Sequence, residues 1–315
     1  MDTRKIGNTG IAIAPLVLGG NVFGWSVDEA ASFAVLDAFV AEGLNCIDTA
    51  DTYSAWVPGN SGGESETIIG RWLKKSGKRD QVVIATKVAK WPKRKGLSPA
   101  NIAAAADDSL KRLGIEQIDL YFAHEDDASV PLADTLGAFQ RLIEAGKVRA
   151  IGASNYSGAR LAEALAVSAK HNLPRYEVVQ PEYNLVARRE YEKNIEPVVE
   201  REKLGVVCYY ALASGFLSGK YRSEADLGKS AARGGSVQKY LNARGLRVLT
   251  ALDTIASAHR ATPAQVALAW LIARPGITAP IASATSAAQV RDIAAATRLS
   301  LSVDEIVRLD DASRD

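Results

Sequence analysis

Eight short apolar runs rich in β-branched residues recur along the chain, and each is followed by a stretch with helical periodicity. The runs cover 16–20, 45–50, 82–88, 118–124, 148–154, 178–183, 205–212 and 278–285. Helical patterns lie near 28–42, 64–75, 99–112, 132–145, 158–170, 188–203, 245–258 with 263–273, and 287–297, and a last one covers 303–312. Strand followed by helix, repeated, requires crossover connections and therefore a parallel sheet. An open doubly wound sheet would carry a glycine fingerprint after its first strand, and Gly19-Gly20-Asn21-Val22-Phe23-Gly24 is not that pattern. The expected fold is a closed (β/α)₈ barrel.

The 315 residues suit that fold as a single domain spanning 1–315, because such barrels use roughly 250 residues plus insertions. Reciprocal capping boxes are expected at Ser26 with Glu29, Thr262-Pro263 with Gln265, Ser286 with Gln289, and Ser302 with Glu305. Residues 1–14 read as a hairpin that turns at Gly7-Asn8-Thr9-Gly10 and plugs the barrel bottom. Two connections are long, 51–63 and 213–243, and long loops at a barrel mouth carry function.

A charge of +2, from 38 basic and 36 acidic residues, gives no global field for nucleic acid or an anionic membrane. No apolar run is long enough to span a bilayer, and the start lacks a signal core. Cys46 and Cys208, with three histidines, cannot build a thiol zinc cluster, so no metal is expected. The reading is a reduced, cytoplasmic protein, a monomer or a weak homo-oligomer.

Chemistry in a barrel gathers where strands end. The second run carries Asp48 near its end with Tyr53 close behind, the third carries Lys87, and the fourth ends at His124. A lysine inside an apolar strand needs a compensating charge, and Asp48 on the neighbouring strand is suited to supply it. The cation would stand beside Tyr53 and is expected to lower the phenol pKa from about 10. His124 could then orient a carbonyl oxygen. Taken singly, Asp48 could be a strand-end cap and Tyr53 a packed aromatic; their arrival with Lys87 and His124 on three successive strands favours chemistry.

Amide side chains at Asn155 and Gln180 face the same mouth and suit a carboxamide, while Tyr209 offers a stacking face. The helix starting at Ser286, after the eighth run, suits a phosphate. Lys220, Arg222, Lys229 and Arg233 in the preceding loop are placed to close over a pyrophosphate. Gly20 and Leu212, at the ends of the first and seventh runs, complete the candidate cofactor contacts. Trp25, Trp56 and Trp91 are candidates for an apolar substrate pocket.

Ile47-Asp48-Thr49-Ala50 with Tyr53, Ala85-Thr86-Lys87, His124, Gly152-Ala153-Ser154-Asn155, Gln180 with Tyr183-Asn184, and the run Gly215 to Tyr221 resemble the aldo-keto reductases over nearly the whole chain. The resemblance implies NAD(P)H-dependent, reversible reduction of small aldehydes or ketones. Tyr53 would be the proton donor, Asp48 and Lys87 its tuning pair, and His124 the orienting group. It further implies Ser154, Asn155 and Gln180 around the carboxamide and Tyr209 beneath the nicotinamide. Gly215, Leu217, Ser218 and Lys220 would lie along the pyrophosphate, with Ser283, Thr285, Gln289 and Asp292 at the adenosine end.

Two departures stand out. Ser283 and Gln289 occupy places where relatives put a basic clamp for the 2′-phosphate, and Ile293 replaces an asparagine; Arg233, or less directly Arg291, could restore the charge, which favours NADP(H) over NAD(H). Ala211 replaces a proline after the stacking aromatic. Two rivals remain: a nicotinamide-binding regulatory subunit with vestigial reductase activity, and a Schiff-base lyase with Lys87 as nucleophile.

Overall fold

The computed structural model describes residues 2–230 and 233–314. Among these residues, eight parallel strands close into a barrel: β3 (Val17–Gly19), β4 (Cys46–Asp48), β5 (Val83–Val88), β6 (Ile118–Ala123), β7 (Val148–Ser154), β8 (Val178–Gln180), β9 (Gly205–Cys208) and β10 (Ala279–Ala282). The outer helices are α1 (Glu29–Ala41), α2 (Glu64–Ser76), α3 (Pro99–Leu113), α4 (Leu132–Glu144), α5 (Gly158–His171), α6 (Glu196–Glu202), α7 (Gly234–Val237), α8 (Ala243–His259), α9 (Pro263–Ala273), α10 (Ala287–Ala295) and α11 (Val303–Ala312). The expected (β/α)₈ architecture is the observed one.

Ahead of the barrel, β1 (Arg4–Lys5) and β2 (Ala12–Ile13) pair antiparallel. Their Ile6, Ile11 and Ile13 are buried with Val17, Cys46, Ala85, Leu120, Phe122, Val178, Val207 and Ile281, which are the inward residues of the strands. The hairpin therefore seals the barrel bottom, and Arg4 Nη2 and Nη1 fasten it by donating to the carbonyls of Ile272 and Ile277 at 2.9 and 3.0 Å.

Several strands stop sooner than their apolar runs, for identifiable reasons. β8 ends at Gln180 because Pro181 has no N–H to give the ladder, and β9 ends before Tyr210, whose φ is +53°. The segments beyond these ends bend away and build the mouth. The helix expected over 188–203 contains a π turn at Tyr191–Ile195 just before α6, where Pro197 cannot donate to the preceding turn.

Two capping expectations are corrected. The N-cap of α1 is Asp28, which accepts from the Ala31 N–H, and Ser26 with Glu29 forms no box, because the helix starts two residues later than that box requires. Ser286 does cap α10, but the Gln289 carboxamide turns to the Thr285 N–H instead of returning to Ser286. The boxes at Thr262 with Gln265 and Ser302 with Glu305 are both present.

Candidate active site

Strand alternation places the site. One step above the apolar plug, each inward-facing position is polar or small: Gly19, Asp48, Lys87, His124, Ser154, Gln180, Tyr209 and Ser283 follow Val17, Cys46, Ala85, Phe122, Gly152, Val178, Val207 and Ile281 at intervals of two. A polar ring thus rests on a hydrophobic floor at the C-terminal ends of the strands.

Lys87 is the hub of this ring. Its fully buried ammonium donates to Asp48 Oδ2 at 2.7 Å, to the Thr49 carbonyl at 2.7 Å and to the Tyr53 hydroxyl at 2.8 Å. These three bonds use all its protons and satisfy a charge that would otherwise be prohibitive there. The Tyr53 hydroxyl donates in turn to Asp48 Oδ2 at 3.2 Å, and Lys87 Nζ lies 4.5 Å from the centre of the Tyr53 ring. Gln180 Nε2 donates to Asp48 Oδ1 at 2.9 Å. Asp48 therefore binds the whole cluster through both its oxygens.

The expected lowering of the Tyr53 pKa is overturned. Burial first, then the Asp48 carboxylate, push the phenol well above its ordinary value, since Asp48 cancels the charge of Lys87 at close range. The group is held as a phenol, the form a proton donor needs. Burial also lowers the Lys87 ammonium, an effect that Asp48 opposes. With all its protons engaged and no exposure, Lys87 has no free face for the nucleophilic attack that the lyase reading requires.

His124 stands edge-on to Tyr53, with ring centres 6.1 Å apart, and its Nδ1 is buried without a partner. Burial, then Lys87 and Lys90, hold the imidazole well below 6.5, so it is neutral at physiological pH. A histidine depressed in the folded state stabilises the fold above about 6.5 and forfeits that stability as pH falls below it, because only the unfolded chain then gains the proton readily. Thermal unfolding of wild type should therefore decline between about pH 6.5 and about pH 5 more steeply than that of His124→Gln; parallel curves would show that His124 is not buried as a neutral ring.

Around the rest of the mouth, Ser154 Oγ donates to the Gln180 carbonyl at 3.0 Å, and Asn155 Nδ2 donates to the His124 carbonyl at 2.8 Å. The Tyr209 hydroxyl donates to Asn155 Oδ1 at 2.8 Å, which ties down a half-exposed ring. Gly20 is at a close approach where an added Cβ would lie 2.9 Å from Ser65 Oγ and 3.1 Å from the Asp48 carbonyl. After β9 the chain runs left-handed at Ala213, Ser214 and Gly215, next to the half-buried Leu212. The Leu217 side chain is core, so only its backbone is available to a ligand, and Ser218 Oγ caps the Gly215 carbonyl.

A family model described as the Aldo/keto reductase family matches residues 15–314. The chain belongs to the aldo/keto reductase family. It is similar to Protein tas of Escherichia coli, at 32% identity over 98% of this chain and 97% of that protein. It is also similar to Aldo-keto reductase yakc [NADP(+)] of Schizosaccharomyces pombe, at 34% over 89% of this chain and 82% of that one. A probable voltage-gated potassium channel subunit beta of Arabidopsis thaliana is 30% identical over 93% of this chain and 90% of its own length.

In this aldo/keto reductase the long loop after β9 separates its cations. Arg222 forms a two-pronged pair with Asp253, and Lys229 is held by Asp226, so neither is free to close over an anion. Lys220 is exposed near Gly215, and Arg233 lies 4.8 Å from the Trp25 ring centre. At the far end Ser283 Oγ donates to Asn21 Oδ1, while Asp292 Oδ1 accepts from Gln265 and Thr262. Ile293 is buried and faces the core.

The tryptophans divide. Trp25 and Trp56 meet edge to face at 5.4 Å, and Trp56 lies 6.3 Å from Tyr53. Trp91 instead donates to the Ser61 carbonyl and packs against Gly62 and Arg94. Sequence reasoning missed Asp51, Glu66, Ser65 and Asn21. A second carboxyl within 48–53 was the available signal for Asp51; the others become visible only when distant segments meet.

Proposed function

We propose that this chain reduces aldehydes or ketones to alcohols, reversibly, with a nicotinamide cofactor. The observation that carries the reading is the Tyr53 hydroxyl, kept protonated and gripped at 2.8 Å by Lys87 and 3.2 Å by Asp48 beside a neutral imidazole.

The mouth fits the cofactor. Ser154 and Asn155 supply the polar groups for a carboxamide, the tethered Tyr209 ring a flat face, Gly20 a place for close approach, and the left-handed turn at 213–215 with Lys220 a seat for phosphate. Gln180 reaches the same region, with one amide proton already given to Asp48. When bound, the reduced nicotinamide supplies the hydride. Tyr53 gives its proton to the substrate oxygen and regains one from solvent. Lys87 faces the phenolate so formed, and His124 can donate its one ring N–H to the carbonyl oxygen and fix its direction. Trp25 and Trp56 line the approach, which suits aromatic or medium-chain carbonyls.

We assign NADP(H) over NAD(H), because Lys220 and Arg233 are cations with no carboxylate partner among the described residues, whereas Ser283, Thr285 and Gln289 bring no charge. Asp292, turned to Gln265 and Thr262, would meet the adenosine end by reorienting. On this reading the chain works as a single domain, a monomer or a weak homo-oligomer, in a reduced cytoplasmic setting. No helix of the described residues is long and apolar enough to cross a membrane. The test is loss of nicotinamide absorbance with a reactive aromatic aldehyde, run with NADPH and NADH in parallel. Oxidation of NADPH several-fold faster than NADH is expected. The similarity to proteins named as potassium channel beta subunits favours a second reading, a cofactor-binding regulatory subunit. Tight cofactor binding without turnover would select it.

A further inference from the structure

Three buried carboxyls share two cations behind Tyr53. Asp48 is taken by Lys87 at 2.7 Å. Glu66, on α2 and fully buried, is taken by Arg112 Nε at 2.6 Å and also accepts from Thr86 Oγ1. The third is Asp51, 1% exposed, and neither of its oxygens has a hydrogen-bond partner. Its position is not incidental, because its backbone N–H donates at 3.3 Å to the carbonyl of Lys87, the residue whose ammonium grips Tyr53. The groups that face it are Glu66 from α2, Arg112 from α3, Lys87 from β5 and Tyr121 from β6. The Tyr121 hydroxyl is itself buried and unpartnered, and the nearby Arg94 is held by Asp108 at 2.7 Å.

A carboxylate with no side-chain donor, buried beside another carboxylate whose cation is already engaged, is far costlier than a neutral acid in the same place. We propose that Asp51 is a positioning residue that keeps its proton at neutral pH, so that Asp48 alone balances Lys87, and that its ionisation in alkali adds a second negative charge behind Lys87 and tightens the hold on the Tyr53 proton. Only this last consequence rests on the reductase reading. The charge state of Asp51 stands on the geometry alone. Burial, reinforced by Glu66 and partly offset by Arg112, Lys87 and the nearby Thr52 backbone N–H, holds this carboxyl up to about 8. The proton leaves to solvent above that value and returns below it, with no co-reactant.

The consequence for stability has a definite sign. The native chain keeps a proton that the unfolded chain has already lost, so Asp51 makes the fold less stable as pH rises from about 4 to about 8. Asp51→Asn copies the neutral acid without the proton. Thermal unfolding of the two proteins from about pH 5 to about pH 9 should show the variant gaining on wild type as pH rises. Parallel curves would mean that Asp51 is ionised throughout, and would overturn the proposal.

Infrared spectra of wild type give a second readout that needs no variant to fold: a protonated carboxyl C=O band present near pH 6 and lost near pH 9, whose absence at pH 6 would equally overturn it. Single-turnover reduction should fall several-fold in wild type between about pH 7 and about pH 9 and stay flatter in Asp51→Asn. The same alkaline fall in both proteins would remove the positioning role. No reduction in wild type, together with diverging unfolding curves, would overturn the reductase reading and leave the buried acid standing.

Discussion

Replacing Tyr53 by phenylalanine is expected to lower carbonyl reduction by about 10²–10⁴-fold, the range that one positioned general acid contributes. The change removes a single oxygen. The ring would keep its contacts with Trp56 and His124, and Lys87 would keep its bonds to Asp48 and the Thr49 carbonyl. Cofactor affinity should be preserved, because Ser154, Asn155 and Tyr209 are tied to one another and not to Tyr53. Absorbance kinetics and a fluorescence titration separate the two effects. Rates within a few-fold of wild type would show that another group delivers the proton, and loss of cofactor binding in step with rate would show that the hydroxyl holds the cofactor.

Lys87→Met is expected to be costly to stability as well as to rate. The methionine fills similar space, but Asp48, 2% exposed, would lose its cation and keep only hydrogen bonds from Gln180 and Tyr53. Breaking a buried pair from one side costs about 3–5 kcal/mol, because the abandoned charge stays out of water. Urea unfolding should register a drop of that size, and reduction should fall with it as Tyr53 loses the cation facing its phenolate. Adding Asp48→Leu should restore much of the stability while leaving the protein inactive, since removing both charges ends the desolvation penalty without rebuilding the acid. If the single variant unfolds like wild type, the Lys87–Asp48 pair does not carry the stability assigned to it.

Much of the fold was legible because its signals are local. The period-two alternation that buries Cys46 and Ala85 also places Asp48 and Lys87 one step higher, and this can be read along a strand without its neighbours. Strand ends were less legible. The stop before Pro181 was readable in principle, whereas the left-handed turn at Tyr210 was not, since nothing in a tyrosine announces φ of +53°. The α1 cap was misplaced because Ser26 and Asp28 both suit that position, and the neighbouring bridge of Phe23 with Val27 decides where the chain is free to start coiling.

The sequence by itself determined the alternation of strands and helices, the closed barrel, and the residue types that meet at its mouth, because periodicity and capping are properties of a few consecutive residues. Only the tertiary structure decided which of those residues hold one another. That Asp48 grips Gln180 as well as Lys87, that Arg222 is spent on Asp253 while Arg233 rests on Trp25, and that Asp51 is left without a partner are outcomes of which distant side chains share a buried volume. The same physics reversed the expectation for Tyr53: a lysine beside a phenol lowers its pKa in isolation, but burial and the adjoining Asp48 carboxylate outweigh it once all three are packed together.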